Sequence, residues 1–92
     1  MQGDPGSDPR VRELRAEITS TDHEIVSAVN RRLELVRRLK EHKAGMGYDF
    51  LDKGREEELL AELERKNDGP LSADSLRELH AKLLELTKRE LG

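Results

Sequence analysis

The chain is 92 residues long, with 40 % charged residues, 2 % aromatic residues and a formal net charge of −3. That length allows one small domain, the absence of cysteine excludes a disulfide framework, a thiolate metal site and a cysteine nucleophile, and the negative balance argues against nucleic acid as a partner. No apolar run approaches a signal-peptide core or a membrane span, so the sequence reads as cytoplasmic, with no membrane partner.

Met1–Pro9 (MQGDPGSDP) is punctuated by Gly and Pro and has no apolar residue after Met1. It reads as a disordered leader ahead of a helical domain over residues 10–92. Pro9 suits the first turn of a helix. From Arg10 to about Ala44 neither Gly nor Pro interrupts the chain, which predicts a helix of about 35 residues and roughly 50 Å. Steps of four and three from Val11 pick out Arg15, Ile18, Asp22, Ile25, Val29, Arg32, Val36, Leu39 and Lys43. The stripe is mostly aliphatic, so it reads as a burying seam. A compact domain of this size has a radius of gyration of only about 12 Å. A helix of that length therefore protrudes unless a partner covers its stripe, which implies a homodimer or higher oligomer.

Gly45–Phe50 reads as a loop. A second helix is predicted from about Leu51 to Lys66, with Asp52, Arg55, Glu56, Leu59, Leu60 and Leu63 on one face. Gly54 in its first turn costs roughly 1 kcal/mol relative to Ala, too little to stop it. Asn67–Pro70 is a stop signal. Ser72 reads as an N-cap with Leu71 as a hydrophobic staple. A third helix follows over about Ala73–Arg89, with Leu76, Leu79, Leu83 and Leu84 on its buried face and Thr87 continuing that line. The fold class is all-α, with one long and two shorter helices.

Arg15, Arg32 and Lys43 lie in the seam, where an unpaired buried cation costs several kcal/mol. Adding the polar residues of the other two faces gives Arg15, Arg32, Lys43, Asp52, Arg55, Glu56 and Thr87. Guanidinium forks match carboxylates in a bidentate way, and four cations against two acids leave room for a dianionic small molecule. Taken singly, each of these side chains has an ordinary alternative, because Lys and Arg snorkel and helical ion pairs are common on surfaces. The cluster carries more weight than its members. His23, His42 and His80 have no metal-ligand spacing, no Ser sits in a nucleophile context, and no glycine-rich phosphate loop precedes a helix. No metal and no cofactor is expected. Arg37, Arg38 and Lys40 read as a solvated face.

These residues resemble the all-helical bacterial chorismate mutases, the AroQ class, over about residues 10–91. In the first helix the resemblance rests on Leu14-Arg15, Ile18, Asp22, Ile25, Arg31-Arg32 and Lys43. In the second it rests on Asp52, Lys53-Gly54 and Arg55-Glu56 followed by Leu59-Leu60. It implies an intertwined homodimer of three-helix protomers that converts chorismate to prephenate without a cofactor. Arg15 then matches the arginine donated to the partner's site, and Arg32 and Arg55 match the residues that hold the two substrate carboxylates. Lys43 matches the lysine that reaches a carboxylate and the breaking ether oxygen. Asp52 and Glu56 match positions near the ring hydroxyl, and Thr87 a small hydroxyl-bearing position.

The sequence departs from the family where a Gln or Glu commonly meets the ether oxygen. Leu91 stands there, with Lys88 and Glu90 as its neighbours. Positioned cations without a nucleophile are what this intramolecular rearrangement requires. Three alternatives share the pattern: a mutase acting on 4-amino-4-deoxychorismate, an isochorismate pyruvate-lyase, and a weakly active helical module that pairs with another shikimate-pathway enzyme.

Overall fold

The structure, a computed structural model, describes residues 5–50 and 52–92. A 3₁₀ turn, Pro5–Ser7, precedes three α-helices: α1 (Pro9–Met46), α2 (Lys53–Lys66) and α3 (Ala73–Leu91). The described residues form two compact units, one ending at Arg32 and the other starting at Leu33. Of the leader expected over residues 1–9, the first four lie outside the described residues, Pro5–Ser7 form the 3₁₀ turn, and Pro9 already belongs to α1.

The unit ending at Arg32 is essentially the first part of α1. Asp8 caps that helix: its Oδ1 accepts from the backbone N–H of Arg10 at 2.8 Å and of Val11 at 3.4 Å. Pro9, which has no N–H to satisfy, takes the first helical position. No residue of α1 is buried. Ile18 and Ile25, expected to be covered, are 59 % and 56 % exposed in the single protomer. The predicted burial of the stripe is therefore not met within one chain, because nothing in the unit packs on it.

In the unit starting at Leu33, α1 runs two residues further than the glycine at 45 suggests. Gly45 and Met46 are helical; a lone Gly weakens a helix without ending it. The stop is Gly47, at φ +74°. Its N–H donates to Ala44 O at 3.2 Å, and that of Tyr48 donates to Lys43 O at 2.8 Å. This paired closure needs a left-handed residue, which glycine supplies without steric cost.

The expected start of α2 at Leu51 lies outside the described residues. Asp52 stands before the helix as its N-cap rather than within its first turn, and its Oδ1 accepts from Arg55 N at 3.1 Å. Between α2 and α3, Asn67 organises the turn: its Nδ2 donates to Leu71 O at 2.8 Å and its Oδ1 accepts from Gly69 N at 3.0 Å. Ser72 caps α3 as predicted, its hydroxyl accepting from Ser75 N at 3.1 Å.

The helices α2 and α3 pack on one another, and the buried residues among those described, Leu76 and His80, lie on α3. The buried line of α3 runs through Leu76, His80, Leu83, Leu84 and Thr87, with the last three half-buried. Leu79, expected on that face, is 50 % exposed. It lies about 60° round the helix from Leu76, whereas His80 lies about 40° the other way, on the side that approaches Glu56 of α2. The buried face is turned by one residue from the predicted one.

Candidate functional site

Arg15 and Arg32 belong to the first unit; Arg15 is exposed and Arg32 half-buried. Lys43, Asp52, Arg55, Glu56 and Thr87 belong to the second, where their local geometry is defined.

The first turn of α2 gathers three of them. The Asp52 carboxylate binds the backbone N–H of Arg55, and Asp52 O accepts from Glu56 N at 3.3 Å. The cap fixes the backbone from which the Arg55 guanidinium and the Glu56 carboxylate project. Asp52, expected only as a ligand contact, thus has a structural task that occupies one carboxylate oxygen. The helix N-terminus favours that negative charge as well.

Lys43 lies in the last turn of α1. Its Nζ donates to Phe50 O at 3.3 Å and stands 5.9 Å from the centroid of the Phe50 ring. Lys40 Nζ stands at the same 5.9 Å from that ring, so two ammonium groups flank one aromatic ring at cation–π range. Lys40 also donates to Leu91 O at 2.9 Å and to Gly92 O at 3.4 Å, satisfying carbonyls that the end of α3 leaves open. Sequence reasoning places Lys40 on a solvated face. No periodicity marks a lysine that serves the end of another helix.

Thr87 sits half-buried on α3, its Oγ1 donating to Leu83 O at 2.7 Å. This is the usual back-bond of a helical threonine. Leu91 is the last helical residue of α3 and carries no side-chain donor.

Charge pairing separates the cations into two sets. Arg37 reaches Glu34 at 2.7 Å and Glu41 at 2.8 Å, Arg38 reaches Glu34 at 3.4 Å, Lys66 reaches Glu62 at 3.1 Å, and Arg77 reaches Glu64 at 2.7 Å. The hydrogen bonds from Arg37, Lys66 and Arg77 hold the Glu34, Glu62 and Glu64 carboxyls below the usual carboxylate range. Neither Lys43 nor Arg55 forms an ion pair with a carboxylate among the described residues. Their charge remains available to an anion from outside the chain.

His80, read in the sequence only as a histidine without metal-ligand spacing, is a buried residue of α3. It is 5 % exposed, and its Nε2 lies 3.8 Å from Glu56 Oε2. The signal is present as spacing, because His80 stands four residues after Leu76 and seven before Thr87, on one helical face.

A family model described as "Chorismate mutase type II" matches residues 14–90. Two solved structures of chorismate mutase from Thermus thermophilus are similar to the chain, each at 29 % identity and a TM-score of 0.80. The form I match covers 85 % of this chain and 98 % of that one; the form II match covers 87 % and 91 %. No curated protein matches.

Proposed function

We infer the activity from membership: the chain belongs to the chorismate mutase type II family and is a chorismate mutase, an isomerase that rearranges chorismate to prephenate. The match over residues 14–90 carries this conclusion. The reaction breaks an ether C–O bond and forms a C–C bond within one molecule. The protein's work is to hold an extended dianion in its folded, reactive conformer and to stabilise the charge that grows on the ether oxygen. The product lies at the branch to phenylalanine and tyrosine, a cytoplasmic biosynthetic role.

In this reading Arg32 and Arg55 hold the two carboxylates, and Lys43 reaches one carboxylate and the ether oxygen. Asp52 and Glu56 face the ring hydroxyl, and Thr87 lines the pocket. Neither Lys43 nor Arg55 is held in a close ion pair with a carboxylate among the described residues, which supports their roles, since an anion then meets cations with no short carboxylate contact to break. With Leu91 at the position of the usual Gln or Glu, Lys43 is the group assigned to the ether oxygen.

The functional unit is a homodimer in which Arg15 enters the partner's site. Support comes from the stripe of α1: Ile18, Ile25 and Leu39 are 59 %, 56 % and 48 % exposed in the single protomer, and apolar surface of that extent is covered in a stable assembly. Purified protein should deplete chorismate absorbance. No turnover together with no binding of a bicyclic transition-state analogue overturns the activity. Mixing inactive Arg15→Ala and Arg55→Ala proteins should recover roughly a quarter of wild-type activity, because half of the randomly exchanged two-fold dimers have one intact site. No recovery, with exchange verified, overturns the shared site.

A further inference from the structure

The best-buried position of the described chain holds a polar group. His80 is 5 % exposed, and its Nε2 is fully enclosed without a hydrogen-bond partner. Phe or Leu at this place in the contact between α2 and α3 would fill the space with no nitrogen to desolvate. Packing alone therefore does not account for an imidazole here. Glu56 Oε2 lies 3.8 Å from His80 Nε2, on a side chain that is 47 % exposed and can move. A shift of about 1 Å brings the two into charge-assisted hydrogen-bond range.

We propose that His80 is a positioning residue for Glu56: Nε2–H of the imidazole, locked in the helix contact, draws the Glu56 carboxylate out of solvent and fixes the orientation in which it meets the substrate. The role rests on the reading of Glu56 as a substrate contact. An exposed glutamate on the first turn of a helix samples many rotamers, and fixing it to a buried donor removes that entropy before binding. One oxygen then faces His80 and the other remains for the ring hydroxyl, since an ionised carboxylate accepts several hydrogen bonds.

The test compares His80→Phe, which keeps ring volume and removes the donor, with His80→Gln, whose amide nitrogen reaches the place of Nε2. Turnover is followed by loss of chorismate absorbance and folding by thermal melting. His80→Phe should melt at or above the wild-type temperature, while kcat/KM falls roughly five- to tenfold. Most of that loss should appear in KM, because a hydroxyl contact is made in bound substrate and transition state alike. His80→Gln should restore most of the loss. In a Glu56→Gln background, His80→Phe should have no further effect, because its action passes through Glu56.

Wild-type kcat/KM in His80→Phe, or an undiminished effect of that change in the Glu56→Gln background, overturns the positioning role. If His80→Phe does not fold, His80→Asn replaces it, since its shorter amide cannot reach the Nε2 position; equal kcat/KM for Asn and Gln overturns the role. Absence of turnover in the wild-type protein overturns the chorismate reading, and the positioning role with it. Wild-type turnover that ignores position 80 overturns the positioning role alone.

Discussion

The part of α1 up to Arg32 and the pair formed by α2 and α3 use similar aliphatic residues to opposite effect. On α1, Ile18 and Ile25 stand mostly in solvent and nothing is buried. On α3, Leu76 is 8 % exposed and His80 is enclosed beside it. Periodicity records that a helix has an apolar side; it does not record whether the covering surface lies in the same chain. A short helix closed by capped turns finds its cover in its neighbour; in the proposed homodimer the long uninterrupted helix finds its cover in a second copy.

The sharpest test of this contrast is chemical. Lys43→Ala should lower kcat by about 10²–10³-fold, the usual cost of removing one group that stabilises developing oxyanion charge, with an unchanged circular dichroism spectrum. A loss of helix instead makes Lys43 a structural residue through its bond to Phe50. The next test reaches the uncovered stripe. Ile25→Asp should convert the dimer to a monomer in sedimentation and abolish turnover in the same sample; a turning-over dimer would break the assignment of that stripe to the interface.

On the other side of the comparison, Leu76→Ala should destabilise by about 2–3 kcal/mol, as truncation of a buried leucine does, read as a lowered midpoint in urea. Asp52→Ala should cost about 1 kcal/mol of α2 stability through the lost cap. Asp52→Asn should keep the cap while removing the charge, so any activity lost in Asn belongs to the substrate contact.

The smallest effect is electrostatic. Glu34, Glu62 and Glu64 titrate below their ordinary range in the folded chain because cations hydrogen-bond to them. Their contribution is therefore fully present above the ordinary glutamate value of about 4.3. It is lost as pH falls through the lowered folded values. All three sit at the surface, so a modest fall in melting temperature on acidification should shrink further in high salt. A melting temperature independent of salt in this window would show that these pairs contribute nothing measurable.

Much of this is legible in the sequence, for local reasons. Ser72 caps α3 where its side-chain oxygen predicts, and the Asn67–Pro70 stop holds, because caps and turns are decided by a few adjacent residues. Gly45 resembles a helix end in the sequence, yet the stop depends on a positive φ, and the residue that adopts it is Gly47. Leu79 and His80 exchange places because a helical face is about one residue wide at its border, and only the packing of α2 fixes its centre. The cap at Asp52 is of the same local kind as that at Ser72, whereas the bond from Lys40 to the end of α3 joins a side chain to a backbone carbonyl 51 residues away, which no spacing of residue types encodes. Lys43 and Arg55 are nominated by their pattern, and what the structure adds is that neither pairs with a carboxylate among the described residues.

The closure of α1 has one further consequence. Tyr48, whose N–H donates to Lys43 O, is the single tyrosine of a chain that has no tryptophan. It stands two residues before Phe50, whose carbonyl receives Lys43 Nζ at 3.3 Å. An ammonium has three donor hydrogens, so Lys43 can hold that carbonyl and meet a bound anion at the same time. The protein therefore comes with its own optical label: ultraviolet emission originates at one phenol, placed two residues from the carbonyl that Lys43 binds, so an anion arriving at that ammonium can be followed without a dye.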